Sequence, residues 1–235
     1  MPARLYLVPN FINEDGVPAM MPGYIAPVIK HLRYFMVEEP RSARRLLKKI
    51  NAALDLSSCL LFALNEHTNI EEAKVFFQQN AAQDIGLISE SGCPCVADPG
   101  REIVALAHQE GREVIPLVGP SSIILALMAS GLNGQNFAFN GYLSREKEER
   151  IKQIKGLEKR VLQEGQTQII MEAPYRNECL FADILAACGP QTRVCVAAGL
   201  TGPAQLIKTL TVKEWKNQLL TIDKQPALFL IGGSK

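Results

Sequence analysis

Two strand–loop–helix turns, close together in the chain, constrain the fold more than any other feature. The first is Leu87-Ile88-Ser89-Glu90-Ser91-Gly92-Cys93-Pro94-Cys95-Val96-Ala97-Asp98-Pro99-Gly100. It opens on an apolar pair, breaks at Gly92, Pro94, Pro99 and Gly100, and passes into a segment with Ile103, Val104, Leu106 and Ala107 on one helical face. In the second, Val114-Ile115-Pro116-Leu117-Val118 runs through Gly119-Pro120-Ser121-Ser122 into Ile123-Ile124-Leu125-Ala126-Leu127-Met128. Ser121 or Ser122 can cap that helix and Gly131 can end it. A strand feeding a glycine-bearing loop and then a helix leaves backbone N–H groups free for an anionic or polar ligand group. Such turns sit at the carboxyl ends of parallel strands, where open α/β sheets bind ligands. Each loop alone also reads as an ordinary turn with a helix cap. It is the pair that points to a ligand site.

A length of 235 residues suits one large or two small domains, and 47% apolar residues suffice for a sizeable core. A net charge of +1 neither demands nor excludes a nucleic acid. The six cysteines (Cys59, Cys93, Cys95, Cys179, Cys188 and Cys195) form no C-x-x-C pair, and there are three histidines. Neither a zinc site nor a disulfide framework is expected. Free thiols fit a reducing cytoplasm. No signal peptide and no apolar run of membrane-spanning length stand out, so the expectation is a cytoplasmic protein without membrane or metal.

Apolar runs predict strands at Leu5–Val8, Tyr34–Val37, Leu60–Leu64, Thr167–Met171, Val194–Ala198, Thr209–Thr211 and Ala227–Ile231. Helical spacing predicts helices over Ser42–Asn51, Glu71–Gln83, Ser144–Gln163 and Asn177–Ala187, while Phe11–Pro27 reads as irregular. In the first helix Leu46, Leu47 and Ile50 form the apolar face. Arg41, Arg44, Arg45, Lys48 and Lys49 crowd the other, which is either a solvated surface or a contact for a phosphate backbone. Over Ser144–Gln163, Ile151, Ile154, Leu157 and Val161 repeat at helical spacing. Its bases, Arg145, Lys147, Arg150, Lys152, Lys155, Lys159 and Arg160, alternate with Glu146, Glu148, Glu149 and Glu158, a pattern that favours a solvated face. The predicted architecture is α/β in two domains. Residues 1–118 form a doubly wound parallel sheet and residues 119–235 a mixed sheet with flanking helices, with the boundary near Val118-Gly119.

The spacing S-G-x-P-x-x-x-D-P-G from Ser91 to Gly100, followed by G-P-S-S from Gly119 to Ser122, resembles the donor site of the tetrapyrrole methylase superfamily. These are the class III S-adenosylmethionine-dependent methyltransferases, which read D-A-G-T-P-G-I-S-D-P-G and P-G-P-S-A at those places. Within the superfamily the resemblance is to the ribosomal RNA branch. Asn65-Glu66-His67 stands at its N-E-H-N, Glu172-Ala173-Pro174-Tyr175-Arg176 at its Y-E-S-P-H-R, and Glu38-Glu39-Pro40-Arg41 at its E-D-T-R. The resemblance runs from Leu5 to Gly233. It implies a homodimeric two-domain methyltransferase with S-adenosylmethionine in the cleft between domains. The donor-contacting positions it implies are Pro9, Ser91, Gly92, Cys93, Pro94, Val96, Ala97, Ser121, Ser122, Met171, Ala198, Gly199, Leu200, Pro226 and Ala227.

The implied reaction is in-line methyl transfer to the ribose 2′-oxygen of ribosomal RNA. The alternatives are a small tetrapyrrole-type substrate, or a non-catalytic nucleotide-binding domain on the same fold. In-line displacement needs the reacting atoms held in register, and a hydroxyl nucleophile also needs help losing its proton. Glu38, Glu39, Glu90, Glu172 and His67 stand at motif positions and are the candidate bases; for each, a cap or loop hydrogen bond is an equal reading. Two departures from the family pattern stand out beside the change of E-D-T-R to Glu38-Glu39-Pro40-Arg41. The V-P-T-P-I-G-N loop is Val8-Pro9-Asn10-Phe11-Ile12-Asn13 here, without its glycine, and R-E-L-T-K has become Ala198-Gly199-Leu200-Thr201-Gly202. The second departure predicts a substrate face poorer in charge than in the ribosomal RNA enzymes.

Overall fold

The computed structural model describes residues 3–13, 21–222 and 225–233, so residues 14–20 of the stretch expected to be irregular lie outside the described residues. The chain divides into two compact units, Met1–Ser121 and Ser122–Lys235.

In the first unit, strands β1 (Arg4–Val8), β2 (Tyr34–Val37), β3 (Leu60–Ala63), β4 (Ile85–Ile88) and β5 (Glu113–Pro116) alternate with helices α1 (Ile25–Lys30), α2 (Pro40–Ile50), α3 (Ile70–Gln79) and α4 (Arg101–Gln109). The strands pair in parallel in the order β3-β2-β4-β1-β5. A parallel sheet built from such crossovers is covered on both faces, and the side-chain alternation of each strand serves both. Val8, Phe35, Val37 and Ile88 pack with Ile25 and Ile29 of α1 and Leu46 and Leu47 of α2. Leu5, Met36, Ile85 and Leu87 pack with Phe77 of α3 and Ile103 and Ala107 of α4. Each fully buried side chain of this kind contributes about 1.5–3 kcal/mol relative to exposure. The two edge strands are less covered, with Leu60 of β3 half exposed at 51% and Glu113 and Pro116 of β5 exposed.

Local chemistry sets the helix starts. At α2, Glu39 Oε2 accepts from the Ser42 N–H at 2.6 Å and Pro40 takes the first helical position, where its missing N–H costs nothing. The Asn69 side chain caps the start of α3 through the Glu71 N–H, and the helix ends at Gln79, short of Gln83, where the Asn80 side chain turns back to the Phe76 carbonyl.

The second unit holds α5 (Ser122–Ser130), β6 (Phe137–Phe139), α6 (Lys147–Glu164), β7 (Thr167–Glu172), α7 (Asn177–Ala187), β8 (Arg193–Ala198), β9 (Leu206–Thr211), α8 (Val212–Trp215) and β10 (Ala227–Gly232). The strand order is β6-β7-β10-β8-β9. Strands β6 and β7 are parallel and the other neighbours antiparallel, which makes the sheet mixed as expected. Strand β10 sits in the centre and is buried throughout. Ile154, Leu157 and Val161 of α6, Leu180 and Ile184 of α7, and Trp215 of α8 join Val196 and Phe229 in one core. Gly131, at φ +66°, follows the last residue of α5 in the left-handed conformation that glycine adopts without strain.

Two sequence expectations change here. Strand β9 begins at Leu206 rather than Thr209, and the chain turns from it directly into α8 through a reciprocal cap between Thr211 and Glu214. Arg150 does not belong to the solvated face of α6. It is 4% exposed and paired with Asp183, its Nη2 2.6 Å and its Nε 2.7 Å from Asp183 Oδ2.

Candidate active site

The parallel register sets Val8 of β1, Ile88 of β4 and Val37 of β2 level with one another, so three chain segments leave the sheet side by side. Asn10 ties them together. Its backbone N–H donates to the Gly92 carbonyl at 2.8 Å. Its side-chain Nδ2 donates to the carbonyls of Ser89 (3.0 Å) and Glu90 (2.8 Å) and to Ser42 Oγ (2.9 Å), and its Oδ1 accepts from the Phe11 N–H. Ser42 Oγ donates in turn to the Glu90 carbonyl at 3.1 Å. Asn10 itself is 3% exposed, and its bonds to the Ser89 carbonyl and the Phe11 N–H are buried away from competing water.

The second loop closes on the same edge. A Cβ on Gly119 would fall 2.2 Å from Pro9 Cβ, so only glycine lets these two backbones approach as they do. A Cβ on Gly92 would lie 3.6 Å from the Pro120 carbonyl, and Cys93 Sγ donates to that carbonyl at 3.4 Å. The first unit thereby brings together Pro9, Gly92, Cys93 and the Gly119-Pro120-Ser121 turn, while Ser122 opens α5 in the second unit.

The loop from Ser89 to Gly100 is held in a sparsely populated backbone shape. Gly92 has φ +68° and Gly100 φ +126°, but Cys95 (φ 66°) and Ala97 (φ 65°) also lie in the left-handed region, which costs a side-chain-bearing residue about 1–3 kcal/mol. Such strain persists only where the surroundings over-determine it, and it concentrates at ligand sites.

Carboxylates crowd this edge. Glu38 Oε2 accepts from the Glu90 N–H at 2.8 Å. Burial, then the charges of Glu90 and Glu66, raise the Glu38 carboxyl, and the Glu90 hydrogen bond opposes them. Asp98 is pushed up to about 7 by burial first and then by the charges of Glu38 and Glu90, against a lowering hydrogen bond from Ser89. Burial also raises the thiols of Cys93 and Cys95, the latter to about 11, so both are neutral at physiological pH.

The other candidate bases sit in different settings. Glu39 caps α2; burial raises its carboxyl, but the Ser42 and Arg41 N–H groups and the charges of Arg41 and Arg44 bring it below the usual range. Glu90 is exposed, and its carbonyl serves the Asn10 network. His67 lies on an exposed turn beyond β3, with Nε2 3.5 Å from Glu66 Oε1. Glu172 belongs to the second unit and is 1% exposed. Its Oε1 accepts from the Ala173 N–H, and its Oε2 lies 3.1 Å from Arg176 Nη2 in an ion pair without hydrogen-bond alignment.

The second-unit positions form a cluster of their own. Ala227 pairs with both Glu172 and Ala198, and Leu228 with Met171, so the carboxyl ends of β7 and β8 meet the start of β10. Gly199, at φ +58°, donates from its N–H to the Pro226 carbonyl at 3.2 Å, and Leu200 is buried behind it. Asn177 Nδ2 donates to the Gln225 carbonyl, while Asn177 Oδ1 and Thr201 Oγ1 are buried without a hydrogen-bond partner.

Asn10 and Asp98 are the residues that sequence reasoning passed over. Asn10 stands where the family loop has threonine, and a buried asparagine after a strand and a proline was the signal available. Asp98 was in view as part of Asp98-Pro99-Gly100, where it reads as turn punctuation.

Residues 15–216 match the family model described as tetrapyrrole (corrin/porphyrin) methylases, and the chain belongs to that family of S-adenosylmethionine-dependent methyltransferases. Several similar proteins carry the name ribosomal RNA small subunit methyltransferase I. The one from Vibrio cholerae is 30% identical over 211 residues, covering 89% of this chain and 69% of the relative. The Escherichia coli O157:H7 protein is 30% identical over 214 residues, with 90% and 70% covered. For the Synechocystis protein the figures are 36% over 137 residues, 58% of this chain and 47% of the relative. Among solved structures, the methyltransferase CobJ matches with a TM-score of 0.64 at 15% identity, covering 99% of this chain and 95% of that one. Uroporphyrin-III C-methyltransferase from Thermus thermophilus, complexed with S-adenosyl homocysteine, matches at 0.55 and 16%, covering 98% and 97%. At these identities the structural matches establish the fold.

Proposed function

We propose that the protein transfers the methyl group of S-adenosylmethionine to the ribose 2′-oxygen of a nucleotide in small-subunit ribosomal RNA. The observation that carries this reading is the knot of Asn10, Pro9, Gly92 and Gly119 at the carboxyl edge of the parallel sheet, in a chain 30% identical to proteins named for that RNA.

The residues present fit the donor. Gly92 turns the first loop at φ +68° and Gly119 lets the second loop close onto Pro9, so the backbone groups of both loops converge on one edge. Val96 and Val118 are large apolar side chains at 47% and 67% exposure beside it, suited to one face of an adenine. Glu38, Glu90 and Asp98 give the edge a negative field that favours a cation such as a sulfonium, and both nearby thiols stay protonated. Backbone N–H groups and carbonyls of the Ser91–Ala97 loop, with the Pro120-Ser121 turn, would hold the amino-acid and ribose ends. The bound donor supplies an electrophilic methyl carbon. The chain's own part is to fix that carbon against the substrate hydroxyl and exclude water. We place proton acceptance on the carboxylate group of Glu38, Glu90 and Asp98, because Asp98 at about 7 is matched to neutral pH.

We further propose that the protein works as a homodimer in the cytoplasm. Helix α5 is apolar on all sides, with Ile124 and Met128 exposed at 43% and 73%, and such a helix is ordinarily covered. All six cysteines are free, which suits a reducing compartment. The test is tritiated methyl transfer to small subunits and to naked ribosomal RNA from a strain lacking this protein. The expected product is one ribose-methylated, alkali-resistant linkage. Donor binding without label in either RNA overturns the substrate, and no binding of S-adenosylhomocysteine by folded protein overturns the site.

A further inference from the structure

The outward stripe of α2 carries charge of a single sign. Of its residues, Arg41, Arg44, Arg45, Lys48 and Lys49 are basic and none is acidic. Helix α6 is longer and carries more charge, but its bases Lys147, Arg150, Lys152, Lys155, Lys159 and Arg160 are interspersed with Glu148, Glu149, Glu158 and Glu164, so its charge is of mixed sign. On α2 the buried side is Ala43, Leu46 and Leu47, which leaves Arg41, Arg44, Arg45 and Lys48 along one exposed face about 10 Å long. Lys48 Nζ turns to the carbonyls of Ala52 and Leu54, and Lys49 lies over the Phe11 ring at 5.3 Å. The three arginines at the start of the helix therefore carry its outward charge.

That end of the helix is joined to the donor loop. Ser42 Oγ takes the Asn10 side-chain N–H and donates to the Glu90 carbonyl, and Glu39 caps the same turn next to Glu38. A row of exposed guanidinium groups thus begins at Arg41, next to Ser42 and three residues after Glu38. Guanidinium is the group of choice for phosphate, and phosphate contacts fix register and orientation on a nucleic acid without reading its sequence. In a chain of net charge +1, this concentration on one helix is local and not a consequence of overall basicity.

We infer that the Arg41, Arg44 and Arg45 face of α2 is the docking surface for the phosphate backbone of the RNA substrate, holding the strand so that the target ribose meets the donor edge. This rests on the RNA reading of the site given above. It also answers the loss of charge at Ala198-Gly199-Leu200-Thr201-Gly202, because the backbone contact is carried on the first unit instead.

The experiment compares wild type with the Arg41→Gln/Arg44→Gln/Arg45→Gln variant and with the corresponding triple lysine variant. Binding of a fluorescein-labelled RNA hairpin is followed by anisotropy from about 50 to about 200 mM salt, and S-adenosylhomocysteine affinity by calorimetry. Losing three phosphate contacts lowers the slope of log affinity against log salt by about 2 to 3, so over that range the glutamine variant loses about 15- to 60-fold less affinity than wild type. Lysine restores the slope, and donor affinity is the same in all three. An unchanged slope in the glutamine variant overturns the inference, as does a loss confined to anionic phospholipid vesicles. Failure of the parent reading looks different. A wild type that binds the hairpin through α2 but transfers no methyl to ribosomal RNA overturns that reading alone. Methyl transfer to ribosomal RNA with an unchanged slope overturns this one alone.

Discussion

The side-chain amide of Asn10 donates to the carbonyl of Glu90 at 2.8 Å across 80 residues of sequence, and through it the loop after β1 holds the loop after β4. The same Nδ2 reaches Ser89 and Ser42, so replacing Asn10 with alanine leaves the Ser89 carbonyl without this donor and the Glu90 carbonyl with Ser42 Oγ alone. A lost buried hydrogen bond whose partner is left unpaired costs about 1–3 kcal/mol. Asn10→Ala is expected to lower unfolding stability by about 2–3 kcal/mol and to weaken S-adenosylhomocysteine binding at least tenfold, because the loop proposed to hold the donor is no longer fixed. Urea unfolding and calorimetry read the two effects. Weakened stability with unchanged affinity would show that the network serves the fold only.

Gly119→Ala tests the approach of the second loop. The added methyl would sit 2.2 Å from Cβ and 2.3 Å from Cγ of Pro9, a rigid ring that cannot rotate away, so one backbone must move. Overpacking of this kind costs about 1–3 kcal/mol. Donor affinity is expected to fall further than in Gly134→Ala, where nothing lies within 4 Å of the added methyl. Equal affinities in the two variants, measured by calorimetry, would remove the Pro9–Gly119 contact from the site.

Most of the fold was legible because its signals are local. Leu87 and Ile88 read as a buried strand end, and they do pack on opposite faces of the sheet. The glycines and prolines that break the Ser89–Gly100 and Gly119–Ser122 loops mark turns whatever the partners are. What escaped reading has its partner far away. Arg150 stands four residues before Ile154, on the buried side of α6, yet its charge placed it with the solvated bases until Asp183 appeared 33 residues on. Asn10 meets partners 32, 79 and 80 residues away, and no periodicity reports that. Asp98 was visible, but its titration depends on burial and on Glu38 from another strand end, which the sequence does not bring near.

Asp98 makes stability depend on pH with a defined sign. Its folded carboxyl, at about 7, holds a proton more tightly than the unfolded group at about 3.9, so the native state binds more protons between those values. The stabilisation this provides is complete below about pH 4 and is lost as pH rises through about 7. Asp98→Asn, always neutral, is expected to be more stable than wild type by about 1 kcal/mol at pH 8, a figure reduced for the group's partial exposure, with no advantage at pH 4. Thermal unfolding across that range tests it, and a gain that does not change with pH would contradict it. In methyl transfer, wild-type kcat should rise through neutral pH and lose that limb in the variant, if this carboxylate accepts the proton.

Arg150 and Asp183 give the sharpest test of packing in the second unit. Both side chains are nearly inaccessible, at 5% and 7%, and the ion pair also anchors the approach to α6, since Arg150 Nη1 donates to the carbonyls of Ser144 (3.1 Å) and Arg145 (2.8 Å). Removing one partner of a buried pair strands the other charge where water cannot solvate it, which costs about 3–5 kcal/mol. Replacing both with apolar residues of similar volume removes the pair and the desolvation penalty together, and such replacements are often near neutral. Here the two backbone carbonyls also lose a donor, at about 1 kcal/mol each, offset where water reaches them. Arg150→Ala is therefore expected to lose about 3–5 kcal/mol and Arg150→Met/Asp183→Leu only about 1–2 kcal/mol, with unchanged denaturant slopes so that the midpoints compare directly. A double variant as unstable as the single one would mean that the arginine stabilises the fold mainly through the Ser144 and Arg145 carbonyls, and that Asp183 is incidental to it.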